Sequence, residues 1–136
     1  MVDFKTVIND AKSGRSHNVA VTGHHANSLI GKSVGEVVDG IFVGLPGYKL
    51  KITGGSDRNG TPMRPDLPGN RRRPIMLSDG LGFRPLRHGE RRRKTLRGRV
   101  ISTDISQINL KVETYGPKSI DDLLNPPAEA EAEETQ

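Results

Sequence analysis

Apolar and polar residues alternate with a period of two over much of this chain, the signature of half-buried strands rather than helices. Val2, Phe4, Thr6 and Ile8 alternate with Asp3, Lys5 and Asn9, and His17, Val19 and Val21 alternate with Asn18, Ala20 and Thr22. Ser13-Gly14-Arg15 between them is turn chemistry, so the two runs read as a pair of strands. Tyr48, Leu50 and Ile52 against Lys49, Lys51 and Thr53 predict another strand, and Pro74–Ser78 a short apolar one turned by Asp79-Gly80 and Gly82. The stretches 95–103 and 105–115 read as a final pair of strands.

Helical signals are few. Ser33-Val34-Gly35-Glu36 fits a capping box, and Val34, Val37, Val38 and Ile41 follow at helical spacing, predicting one short helix that Gly40 ends. Ser119–Leu124 predicts one helical turn, capped by Ser119, favoured by Asp121 and Asp122 and stopped by Pro126-Pro127. Residues 53–70 are rich in Gly and Pro and read as loop. The expected fold is mainly β: a small barrel-like curled sheet of short strands with one or two short helices and long basic loops. Residues 1–125 form one domain, and 126–136 an acidic tail of low complexity, disordered on its own.

Charge changes this picture most. Between Arg58 and Arg99 there are 13 Lys/Arg and 3 Asp/Glu, whereas the remainder of the chain has 8 and 13. A field so segregated calls for a polyanionic partner. Arg71, Arg72, Arg73, Arg84, Arg87, Arg91, Arg92, Arg93, Lys94, Arg97 and Arg99 form its centre. The arginine bias matters, because a guanidinium binds phosphate through two parallel hydrogen bonds and stacks on an exposed base. A solvated charged face would mix Lys with Glu and Asp, and here Asp79 and Glu90 are the only acids between Arg71 and Arg99. Gly80, Gly82, Pro85, Gly89 and Gly98 interrupt the run, so it is no groove-filling helix, and folded RNA suits it better than duplex DNA.

Other chemistry is thin. There is no Cys, which removes disulfides, thiol nucleophiles and cysteine zinc sites. Gly31-Lys32-Ser33 imitates a phosphate-binding loop, but Ala26 stands where the pattern needs Gly. His24-His25 are adjacent and would diverge in an extended strand, and no spaced partner completes a metal site. The aromatics are few and fall mostly in apolar patterns, which argues against a base-stacking platform. No metal or cofactor, no small-molecule substrate and no catalytic constellation is expected, and the chain is read as cytoplasmic, without a membrane segment. A DNA-binding, chromatin-like protein is the alternative reading, and an RNA-acting enzyme a distant third.

Ile52-Thr53-Gly54-Gly55-Ser56-Asp57-Arg58-Asn59-Gly60-Thr61-Pro62-Met63 is the second notable run. Its glycines permit close backbone approach, and Asp57 can close a turn on the N–H groups ahead of it. Here the chain resembles the archaeal and eukaryotic ribosomal protein S-six-e family of the small subunit, whose signature is carried by Ile52, Thr53, Gly54, Gly55, Asp57, Gly60, Pro62 and Met63. A second block, Leu77-Ser78-Asp79-Gly80, Phe83-Arg84-Pro85, Gly89–Lys94 and Arg97-Gly98, is similar to the same family in order and spacing. The resemblance implies a structural constituent of the ribosome, on the body of the small subunit, bound to ribosomal RNA and neighbouring ribosomal proteins, without cofactor, catalysis or self-association. It makes Arg84, Arg91–Lys94 and Arg97 the foremost RNA contacts, and the signature loop a rigid RNA-facing turn. Eukaryotic members continue into a basic, phosphorylated C-terminal helix. This chain instead carries Glu129, Glu131, Glu133 and Glu134 with no Ser after Ser119, the short archaeal form.

Overall fold

A computed structural model describes residues 2–124. The predicted acidic tail over 126–136 lies outside the described residues. Alternation becomes strand where it was strongest. Strands β1 (Asp3–Asp10) and β2 (Arg15–Thr22) form an antiparallel hairpin, and β3 (Val37–Asp39), β4 (Lys49–Asp57) and β7 (Ile105–Thr114) complete a five-stranded sheet in the order β2-β1-β7-β4-β3. The pairing of β1 with β7 is parallel and the other pairs are antiparallel.

Register shifts at Lys49/Leu50, Ile52/Gly54 and Ser56/Asp57 put irregularities into β4 against β7. Bulges of this kind bend a strand and increase its twist, which curls the sheet. The inward residues Phe4, Ile8, Leu50, Ile52, Ile108 and Leu110 are all 1% exposed or less. Each such side chain contributes about 1.5–3 kcal/mol by leaving water. Helix α1 (Gly23–Leu29) closes the core through Ala26 and Leu29, and α2 (Ile120–Leu124) through Ile120. As expected, Ser119 caps α2: its Oγ accepts from Asp122 N at 3.2 Å.

Strands β5 (Arg72–Leu77) and β6 (Arg92–Arg97) form a separate two-stranded hairpin. Its own small core is Leu77, Phe83 and Leu96, with Leu67 and Ile75 packed against them. The predicted pairing of 95–103 with 105–115 is therefore not made: β6 pairs with β5, and β7 lies between β1 and β4.

The helix predicted after Ser33 is also absent. Val37–Asp39 is a strand paired with Lys49–Lys51, and Gly40–Val43 is a 3-10 turn. Gly35 has φ 100°, outside the helical region, and its N–H donates to Ile52 O at 2.7 Å. Ile52 N in turn donates to Glu36 O, so the would-be capping box is spent on sheet pairing. The helix lies instead at Gly23–Leu29, and so places His24 and His25 on a helix rather than a strand, with His25 edge-on to Phe42. Gly31-Lys32-Ser33 runs antiparallel beside Arg99–Ile101, through Gly31 N to Ile101 O and Ile101 N to Lys32 O, and no phosphate-binding loop forms. Finally, β4 runs on through Gly54 and Gly55 to Asp57, shortening the expected loop.

Candidate nucleic-acid interface

The signature run is the joint between sheet and hairpin. Gly55 sits so close to β7 that a Cβ there would lie 2.4 Å from Gln107 O, which explains a glycine within a strand. Beyond it the chain reverses around Asp57, whose Oδ1 accepts from the N–H groups of Asn59 and Thr61, each at 2.9 Å. The same turn is held by Asp57 N to Thr61 O and Gly60 N to Asp57 O, both at 3.0 Å. Pro62 and Met63 then run beside Arg97: Arg97 N donates to Pro62 O, and Arg64 N to Arg97 O. Met63 is buried, and its N–H donates to Gly55 O.

The other carboxylate oxygen of Asp57 reaches the hairpin. It accepts from Arg72 Nε at 2.7 Å and from Arg97 Nη1 at 3.4 Å. Arg97 also contacts Ser102 Oγ at 2.6 Å and Asp104 Oδ2 at 3.4 Å. With its amide oxygen turned towards Arg72, Asn59 accepts from both terminal nitrogens of that guanidinium, at 2.9 and 3.0 Å. Burial pushes the Asp57 carboxyl up more strongly than any other single influence. The bonds from Thr61 N, Arg72 and Asn59 N, with the Arg72 charge, together outweigh it and hold the group below its ordinary value.

Sequence reasoning grouped eleven cationic residues, and the structure divides them. Arg97 is 5% exposed and spent inside the protein. Arg72 is partly exposed but anchored to Asp57, and Arg92 pairs loosely with Glu90 at 3.4 Å. Arg71, Arg73, Arg84, Arg87, Arg91, Arg93 and Arg99 are exposed and make no ion pair among the described residues. Lys94 is half-buried opposite Ile75. The arginines thus occupy a hairpin, its connection over residues 78–91, and, at Arg71 and Arg99, its two flanks. Within that connection Glu90 Oε2 accepts from Leu86 N at 2.9 Å and Arg87 N at 3.4 Å, fixing a tip on which Leu86 is 93% exposed. Among the described residues no Phe or Tyr ring joins this face: Phe4, Tyr48 and Phe83 are buried, and Phe42 and Tyr115 pack against the main core.

Sequence reasoning passed over a concave surface at the base of the hairpin. A cleft of ≈ 640 Å³ is lined by Arg58 and Asn59, Asn70 to Arg72, Arg97, and Ser102 to Asp104. These come from two turns, the start of β5 with the residues before it, and the end of β6, and nothing in the local sequence announces their meeting. Among the described residues there is no group of three His, Cys, Asp or Glu placed to hold a metal, and no helix long and apolar enough to cross a membrane.

A curled sheet carrying an exposed guanidinium array, tied to it by one buried carboxylate, defines a basic, mainly β protein whose surface complements a polyanion. The sequence profile of ribosomal protein S6e matches residues 4–125. The chain belongs to the ribosomal protein S6e family, whose members are structural proteins of the small ribosomal subunit and not enzymes. It is 52% identical over 130 residues to the small ribosomal subunit protein eS6 of Methanosphaerula palustris, covering 96% of this chain and 98% of that one. It is 53% identical over 123 residues to the protein of the same name from Methanocella arvoryzae, covering 90% and 87%. The eS6 of Archaeoglobus fulgidus is 52% identical over 124 residues, covering 90% and 96%.

Proposed function

We propose that the chain is a structural constituent of the small ribosomal subunit that holds folded ribosomal RNA against its arginine hairpin and touches neighbouring ribosomal proteins. It works on the ribosome, in the cytoplasm, as a single copy without cofactor. The observation that carries this reading is the set of seven exposed arginines that make no ion pair among the described residues, on and beside a hairpin locked to the sheet. Arginines so mounted neutralise phosphates that RNA folding crowds together, where unrelieved repulsion would oppose compaction. The contacts are Arg71, Arg73, Arg84, Arg87, Arg91, Arg92, Arg93 and Arg99, with Arg72 and Lys94 at the margin. Arg97 leaves the set, because its charge is already met by Asp57 and Asp104.

One observation favours a second reading. A two-stranded ribbon bearing arginines has dimensions that a B-DNA major groove admits, whereas the deep, narrow major groove of A-form RNA does not. Family membership weighs for RNA shape and against that groove. The test is a titration of small-subunit RNA fragments at a series of salt concentrations, with duplex DNA as competitor. If each of these eight arginines meets one phosphate, the log–log slope is about −6 to −7. Replacing Arg91, Arg92 and Arg93 with Ala weakens binding and flattens the slope by about 2–3. An unchanged slope removes these residues from the interface, and equal competition by duplex DNA replaces the RNA reading with the second one.

A further inference from the structure

The cleft at the base of the hairpin enters the reading above only through Arg71 and Arg72, as backbone phosphate contacts. Its floor is Arg72 and Arg97, both already bonded to Asp57. Its rims are different. Arg58 and Arg71 are exposed and make no ion pair among the described residues, while their backbones are pinned: Arg58 N donates to Asp104 O at 3.1 Å, and Arg71 O accepts from Gly98 N at 3.0 Å. Asn70, Thr103 and Asp104 complete the rim. Asp104 Oδ2 faces Arg97, and Oδ1 makes no hydrogen bond among the described residues.

This composition does not suit a bare phosphate. A phosphate offers only acceptors, so a carboxylate on the rim repels it, and a volume of ≈ 640 Å³ exceeds its needs. A nucleotide satisfies both ends. Its phosphate takes donors from two guanidiniums, and the Watson–Crick edge of a splayed-out base takes an amide, a hydroxyl and a carboxylate. A carboxylate accepts from adjacent base donors, whereas uracil offers it only N3–H, flanked by the O2 and O4 carbonyls that repel it. Guanine, with N1–H and an exocyclic amine side by side, matches a carboxylate best.

We propose that this cleft takes one guanosine nucleotide swung out of the RNA, with its phosphate between Arg58 and Arg71 and its base amine edge on Asp104. The inference rests on the RNA-binding reading and adds a base-selective subsite to an otherwise backbone-directed surface. Because the rim is already fixed by backbone bonds, the site forms without reorganisation.

The test follows amide NMR shifts of the full chain titrated at millimolar concentration with guanosine 5′-monophosphate, uridine 5′-monophosphate and inorganic phosphate. Guanosine monophosphate shifts Asn70, Arg71, Thr103 and Asp104 and binds about tenfold more tightly than the uridine form. Arg58→Ala and Arg71→Ala, at exposed rim positions, weaken both nucleotides with the remaining spectrum unchanged. Asp104→Asn erases the guanosine preference and leaves the response to inorganic phosphate. Equal binding of the three probes, or shifts confined to the hairpin tip, overturns the inference. The same sample is titrated with small-subunit RNA. Binding of RNA without guanosine shifts in the cleft sinks the subsite alone, and loss of RNA binding as well sinks the parent reading with it.

Discussion

Arg72 and Arg97 stand directly opposite one another on β5 and β6, and both guanidiniums bond to a single oxygen, Asp57 Oδ2. Two like charges facing across a ribbon destabilise it. A buried carboxylate between them converts the repulsion into a clamp that joins hairpin, signature turn and sheet. Breaking a buried ion pair by removing one partner costs about 3–5 kcal/mol, so Asp57→Ala is expected to lower the urea midpoint by that equivalent or to leave the hairpin detached. Retention of the wild-type midpoint would show that the clamp contributes nothing to stability.

The same carboxylate makes stability depend on pH. Its pKa is held below the ordinary value of 3.8, so its contribution is complete above that value and is lost as pH falls through the depressed one. The midpoints of wild type and Asp57→Asn therefore differ at neutral pH and converge as the pH falls through the depressed Asp57 pKa, below 3.8. Asp10 is depressed too, chiefly by the Tyr115 hydroxyl, and so acid weakens both variants further in parallel. A difference that stays constant across the acid range would contradict the charge argument.

Arg97 and Arg91 separate structure from recognition. Arg97→Lys removes a planar fork from a buried site and is expected to lower stability. Arg91→Ala leaves the melting temperature unchanged and reduces the salt slope of RNA binding by about one. Side-by-side melting curves and salt titrations check both. The reverse pattern would return Arg97 to the interface.

Neighbouring glycines provide a steric test of the signature. A Cβ at Gly55 would lie 2.4 Å from Gln107 O, whereas one at Gly54 meets nothing within 4 Å. Gly55→Ala must separate β4 from β7, a loss of about 1–3 kcal/mol. Gly54→Ala is expected to be neutral or to stabilise by about 0.4–1 kcal/mol. Urea unfolding of both variants measures the contrast, and equal effects would refute it.

Strands with a clear period of two were legible in the sequence, as were the mostly β class and the Asp57 turn. Val34–Ile41 was not, because a short apolar run fits both periods. The choice fell to Leu50, whose pairing with Val38 is invisible locally. Helix α1 offers little to read, since Thr22 makes no side-chain cap bond and only Ala26 and Leu29 are buried. For the interface, the basic run was evident but its partition was not. Arg97 and Arg99 look alike in sequence, and Arg97 is buried and bonded to an aspartate 40 residues away. The cleft rim at Arg58 and Asp104 depends on turns that only the folded chain brings together.

The parallel pairing of β1 with β7 has a consequence for the chain's synthesis. β7 is the centre of the sheet and the last strand to be made, so Phe4, Ile8, Leu50 and Ile52 have no middle layer until Ile105–Thr114 emerge. At about 5–20 residues per second, β1 waits roughly 5–20 s after its own completion. The nascent chain thus displays its apolar strands and its whole arginine hairpin together, as an unfinished and adhesive polymer. Its folded body arrives in one late step, when the final strand slots between the first and the fourth.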